Sequence, residues 1–148
     1  MKIIVDTNIV FSALLNSSGK IGNLLMNSDD VFEFYTSDYL KKELLEHHEK
    51  IKKLSRLSDA DIDTVKSLIF NHINFINTEI ISTKIWIEAE SIMADVDPDD
   101  TEFYALSQFL KCKIWTGDKK FHARLLQKGI HQTLSTDDIF NLRLALRS

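Results

Sequence analysis

Cysteine, proline and glycine are scarce in this chain: one, one and four among 148 residues. The lone cysteine, Cys112, excludes an intrachain disulfide and points to a reducing compartment. Its surroundings, "LKCKIW", offer no second Cys and no His at ligand spacing, so a thiolate metal site is not expected. The few glycines form no phosphate-cradling loop and no Gly-x-Ser elbow, which removes P-loop NTPases and serine hydrolases. The histidines do not replace them. His47 and His48 precede Glu49 without the spacing of a zinc-protease helix, and Arg124 close to His122 disfavours a cation there.

Long apolar runs are missing as well. Nothing approaches the roughly 20 consecutive apolar residues of a membrane span. The first apolar run is cut by Asp6 and Asn8, which does not suit a secretory signal peptide. A cytoplasmic protein with no membrane association is the expectation. No repeat or Pro/Gly-rich linker divides the chain, so residues 1–148 read as a single domain. Positive charge is not in excess either. A net charge of −4 argues against bulk attraction to nucleic acid but leaves room for a local basic patch.

What is present is an alternation of strand and helix patterns. Ile3 to Val5 is a continuous apolar run, as in a strand buried on both faces, and Ile9, Val10, Ala13 and Leu14 follow at helical spacing. Val31 to Tyr35 reads as a second strand. "TSDYLKKELLEHHEKIKKL" reads as one long helix capped by Ser37 or Asp38, and a further helix starts at Ser58 or Asp59 and runs to Ile73. Part of "NFINTEII" is assigned to a strand. "TKIWIEAESIMADV" and "DPDDTEFYALSQFLK" are assigned to helices, "CKIWT" to a strand, and "DKKFHARLLQKG" to a helix closed by Gly129. "HQTLS" makes a last strand and "TDDIFNLRLALR" a last helix, capped by Thr136 or Asp137. Such alternation implies an α/β fold, an α/β/α sandwich around a mainly parallel central sheet.

In sheets of this kind ligands sit beyond the carboxyl ends of the strands. Two strand patterns end there on an aspartate, Asp6 in "KIIVDTN" and Asp118 in "IWTGD". Each carboxylate also has a plain structural use. Asp6 or Thr7 can cap a helix, and Asp99 with Glu102 matches a capping-box spacing. Capping, however, needs only one of Asp95, Asp97, Asp99 and Asp100. A cluster of carboxylates is costly unless a cation neutralises it, and oxygen-only ligands select hard cations such as Mg²⁺ or Mn²⁺.

Four motifs in order, "IIVDTNIV", "SDYLKKELLEH", "DPDDTEFYALS" and "IWTGDKKF", resemble the PIN-domain (PilT N-terminus) family of nucleases, which includes VapC-type toxins. The resemblance runs from Lys2 to about Ser135. It implies a metal-dependent ribonuclease with an acidic pocket at the strand ends, holding at least one Mg²⁺ (or Mn²⁺). Carried over by motif, the four acids are Asp6, Glu43, Asp100 and Asp118, with Asp97 and Asp99 as neighbours of the third. Asn8 and Thr116 match supporting polar positions. Lys119 and Lys120 stand where many relatives carry a further acid. Together with Arg124 they are candidates for contact with the RNA backbone, since Lys and Arg bind phosphate without reading sequence. Trp115 and Phe121 are expected in the core. The resemblance also brings in an antitoxin protein and a homodimer as candidate partners, with a catalytically silent RNA-binding or scaffolding module as the alternative function. A receiver-type phosphoacceptor or a haloacid-dehalogenase-like phosphatase fits less well. The first lacks its acidic pair beside Asp6, and the second would need an Asp where Asn8 stands.

Overall fold

A computed structural model describes residues 1–148. Five strands, β1 (Lys2–Val5), β2 (Glu33–Ser37), β3 (Ile73–Ile76), β4 (Lys113–Trp115) and β5 (Thr133–Leu134), form one sheet in the order β3-β2-β1-β4-β5. Every neighbouring pair is parallel, with Ile4 of β1 opposite Tyr35 on one side and Ile114 on the other. Parallel strands need a crossover each, and helices supply it on both faces.

On one face lie α1 (Thr7–Leu15), α2 (Lys20–Met26), α3 (Tyr39–Glu46), α4 (His48–Ser55), α5 (Asp59–Phe70) and α9 (Thr136–Arg147). They bury Ile9, Leu25, Leu44, Ile62 and Ile139 against Ile3, Val5 and Trp115. On the other face α6 (Thr83–Met93), α7 (Thr101–Leu110) and α8 (Lys119–Gln127) bury Met93, Phe103 and Phe121 against Ile4 and Ile114. The two-residue alternation within β1 thus feeds two cores, which is why the run looked uniformly apolar. Trp115 and Phe121 are core residues, as expected. None of the helices is long and apolar enough to cross a membrane.

Several boundaries differ from the sequence reading. The second strand begins at Glu33 and continues through Ser37, so Thr36 and Ser37 belong to the sheet; the Ser37 hydroxyl still accepts from the Tyr39 N–H at the start of α3, and Asp38 takes the cap position. The long helix is two helices, broken at His47. Apolar periodicity persists across that break because Leu40, Leu44 and Ile51 all face the same core. Helix α2 lies in a stretch without a strong periodic signature. Helix α5 stops at Phe70, and Ile73 opens β3. The last helix is capped by Ser135, whose hydroxyl accepts from the Asp138 N–H while the Asp138 carboxylate accepts from the Ser135 N–H. The Asp99–Glu102 capping box is absent. Asp97 accepts from the Asp99 N–H, and a short 3-10 turn (Pro98–Asp100) leads into α7. Lys128 ends α8, and Gly129 takes the left-handed conformation (φ 75°) just beyond it.

Strand order places a switch point beside β1: the chain leaves it for β2 on one side and later returns to β4 on the other. Asp6 and Thr116 follow the carboxyl ends of those two strands directly.

Candidate metal centre

Asp6 caps α1. Its Oδ1 accepts from the Ile9 N–H at 3.0 Å, and the residue is only 4% exposed. Asp118 caps α8 in the same way, with Oδ1 accepting from the Lys120 and Phe121 N–H groups at 3.0 and 3.1 Å. Asp97 holds the 3-10 turn through Oδ1 and the Asp99 N–H. In each case the backbone engages one carboxylate oxygen and fixes the side chain's direction. The second oxygen remains. Capping through one oxygen therefore does not by itself exclude a carboxylate from a metal site.

One carboxylate oxygen from each of Asp97, Asp100 and Asp118 lies within 4.8 Å of the others. Asp6 stands against this triad, close enough for its charge to act on both Asp100 and Asp118. A hydroxyl joins the two strand ends: Thr116 accepts from the Asp118 N–H at 3.1 Å and also hydrogen-bonds the Asp6 carboxylate. Asn8 is exposed and bears on Asp6 through its backbone N–H. That part of the expected polar support is main chain.

The electrostatics of the group are unfavourable by themselves. Burial, opposed by the Thr116 and backbone hydrogen bonds and aided by Asp118, pushes the Asp6 carboxyl up to about 6. Asp100 is held far above the usual carboxylate range, first by burial, then by the charges of Asp6 and Asp97, the hydrogen bond with Asp97, and Asp118. No Lys or Arg forms an ion pair with any of the four. Oxygen donors of this kind, gathered without a protein cation, fit a hard divalent ion such as Mg²⁺ or Mn²⁺.

Glu43 lies apart from that triad. Its Oε1 accepts from the Thr7 hydroxyl at 2.9 Å, and burial, with the nearby Glu102 charge, raises its carboxyl. Glu102 was read from sequence only as a capping residue. In the fold its Oε1 accepts from Ser37 at 2.8 Å and Thr78 at 2.5 Å, tying α7 to the ends of β2 and β3. No local pattern could reveal it, since its partners lie 65 and 24 residues away.

The sequence-based candidates for RNA contact separate. Lys119 and Lys120 are exposed and form no ion pair. Arg124 instead donates to the Val96 carbonyl at 2.6 Å, and Lys128 donates to the Ile92 carbonyl at 2.8 Å and pairs with Asp95. Helix α8, which begins at Asp118, thereby grips the segment that ends in Asp97. The Arg124 guanidinium thus bridges α8 to the residue that precedes Asp97.

A family model of the PIN domain matches residues 4–138. The chain belongs to the PIN domain family. Among solved structures it is similar to a chain from the VapBC2 complex of Rickettsia felis bound to a DNA fragment from their promoter. The TM-score is 0.66 at 16% identity, covering 91% of this chain and 97% of that one. At that identity the likeness establishes the fold. No curated protein matches the chain. In this PIN domain the motif order from "DTN" to "TGD" therefore corresponds to shared architecture, and the carboxylates at its strand ends occupy the rim where such a sheet binds ligands.

Proposed function

We propose that this PIN domain, read as a single domain over residues 1–148, is a divalent-metal-dependent endoribonuclease. The observation that carries the proposal is the convergence of Asp97, Asp100 and Asp118, with Asp6 behind them, none of them paired with a Lys or Arg. Membership of a family whose members are typically metal-using nucleases supports the same reading.

Asp97, Asp100 and Asp118 would hold Mg²⁺ or Mn²⁺, with Asp6 against them and Glu43 acting from the far side, directly or through water. When bound, the ion supplies activation of water and charge neutralisation at the scissile phosphate. The chain's own residues set the geometry. Caps at Asp6, Asp97 and Asp118 fix carboxylate direction, and the Thr116 hydroxyl holds Asp6 and the Asp118 backbone in register. Asn8 supports Asp6 through the main chain. Lys119 and Lys120, free of ion pairs, attract the RNA backbone to a rim that would otherwise repel it. Asp99, exposed and outside the triad, gives its N–H to the Asp97 cap and is assigned no ligand role.

The R. felis neighbour comes from a VapBC complex. On that ground we include an antitoxin among the proposed partners, and a homodimer alongside it. The deciding experiment is cleavage of mixed RNA with Mg²⁺ or Mn²⁺, with EDTA, and with Asp6→Asn. Cleavage that persists in EDTA ends the metal-dependent mechanism. No cleavage by the wild type under any metal leaves a silent binding module.

A further inference from the structure

Beside the acid cluster the fold leaves a cavity of about 510 Å³ that the carboxylates do not fill. Gly117, Asp118, Lys119, His122, Leu134 and Thr136 are among the residues lining it, so it shares a wall with the candidate metal centre. Its chemistry differs from that of the centre. Lys119 is an unpaired cation. The Thr136 hydroxyl accepts from the Trp115 indole N–H at 3.0 Å, which leaves the hydroxyl's own proton for an acceptor. Ser135 is in the same position, its oxygen being used by the Asp138 N–H. Thr133 engages Nδ1 of His122, so Nε2 is the ring nitrogen without a protein partner. Of the two acids in the lining, Asp118 belongs to the metal centre and Asp137 is neutralised by Lys20 at 2.5 Å.

We infer that this cavity is a nucleotide subsite, holding the ribose-phosphate of the RNA residue next to the scissile phosphate. Lys119 and the two hydroxyls face phosphate and ribose oxygens, and Leu134 gives the base or sugar its one apolar contact. A ligand bridging cavity and metal centre would have to place one phosphate at the carboxylates and its neighbour near Lys119, which a single-stranded RNA backbone does. The inference rests on the nuclease reading above and adds where the strand lies.

Gly117 provides a test with little structural side effect. Its backbone conformation is one that any residue adopts, and a Cβ there would meet nothing within 4 Å. Side chains of increasing size at this position should grow into open space at the cavity edge. The series Gly117→Ala, Gly117→Leu and Gly117→Phe, made in an Asp6→Asn background so that RNA persists, is titrated with a labelled RNA decamer in Mg²⁺. In the active background the same three variants are assayed for KM and kcat, and Mn²⁺ affinity is measured by calorimetry. The expected result is near-wild-type RNA affinity for Ala and a loss of roughly tenfold or more for Leu and Phe, appearing in KM, with Mn²⁺ affinity unchanged. Lys119→Met should weaken RNA binding and reduce its salt slope by about one. Wild-type affinity and KM for Gly117→Phe overturn the subsite, as does an Asp6→Asn protein that binds no RNA. A wild type that binds RNA without cleaving it overturns the catalytic reading alone, because the Gly117 series still decides the subsite by affinity.

Discussion

Two groups of aspartates in this protein have opposite electrostatic settings. On the surface, Asp30 pairs with Arg147, Asp59 with His48 and Lys52, Asp95 with Lys128, and Asp137 with Lys20. Those hydrogen bonds and charges hold all four carboxyls below their ordinary range. At the rim beyond the strand ends, Asp6 is buried and Asp100 half-buried among other acids, neither paired with a Lys or Arg, and both are raised. The chain has 18 Lys and Arg residues, so the strand-end acids are not unpaired for want of partners. No Lys or Arg pairs with the acids at that rim, which leaves a bound proton or a bound cation to neutralise them. Exposed pairs of the first kind contribute little to stability, whereas a buried like-charge group is strained until something binds it.

Cleavage should separate the groups most sharply. Asp100→Asn is expected to reduce RNA hydrolysis about a thousandfold or more, the equivalent of several kcal/mol of lost transition-state stabilisation. Asp95→Asn, three residues before the Pro98–Asp100 turn, should leave the rate within about twofold, since exposed pairs carry little energy. Initial rates on one RNA substrate decide this. The opposite ranking would place the third acid elsewhere in "DPDD".

The pH dependence of stability sharpens the same contrast. Asp6 binds its proton more tightly in the folded protein, about 6 against 3.8, so its contribution is fully present below about pH 4 and is lost as pH rises through 6. For this well-buried group the loss is of order 3 kcal/mol. Asp100, raised further, extends the decline to higher pH. The surface aspartates act with the opposite sign and in another window, adding stability above pH 3.8 and losing it as pH falls below that value. Denaturant unfolding in EDTA from pH 4 to 8 should therefore show stability falling with pH. A flat profile would mean that the strand-end acids are not strained.

Metal should reverse that strain. At about 100 times its dissociation constant, Mg²⁺ is expected to add about 2.7 kcal/mol to the wild type. In EDTA, Asp6→Asn should be more stable than wild type by about 0.5–2 kcal/mol, because Asn keeps the cap and drops the charge. Its response to metal should be reduced or lost. Thermal unfolding of both proteins with and without Mg²⁺ measures all of these, and identical curves would reduce Asp6 to a helix cap.

Smaller effects come from the cations. Arg124→Met should loosen the Val96 carbonyl and, through Asp97, weaken Mn²⁺ binding about tenfold, as loss of an outer-shell partner does. Calorimetry tests this, and an unchanged affinity with weaker RNA binding would return Arg124 to the phosphate contacts. Asp59→Asn, at the surface, should leave both the unfolding midpoint and Mn²⁺ affinity where they were.

Much of the fold could be read from residues that interact locally. The apolar run Ile3–Val5, the Ser58 cap and the aspartates that follow β1 and β4 are properties of adjacent residues, and they appear in the structure nearly where the pattern put them. The break at His47 was not legible, because the two helices on either side share one buried face. The role of Arg124 was hidden for a related reason. A basic residue on an exposed helix face looks the same whether it meets a phosphate or a carbonyl 28 residues away.

By itself the sequence determined the alternation of strands and helices, the acids at two strand ends and the membership those motifs carry, all of which depend on spacing along the chain. Only the tertiary structure decided which acids meet. Asp97 joins Asp100 and Asp118 because a 3-10 turn, held by its own carboxylate and by Arg124, brings it to the end of β4. The Glu102 charge reaches Glu43 because α7 packs against the end of β2, where Ser37 hydrogen-bonds Glu102 from 65 positions away in the chain. Mutual distance sets the energy of a carboxylate group, and distance between residues far apart in sequence exists only once the sheet has closed.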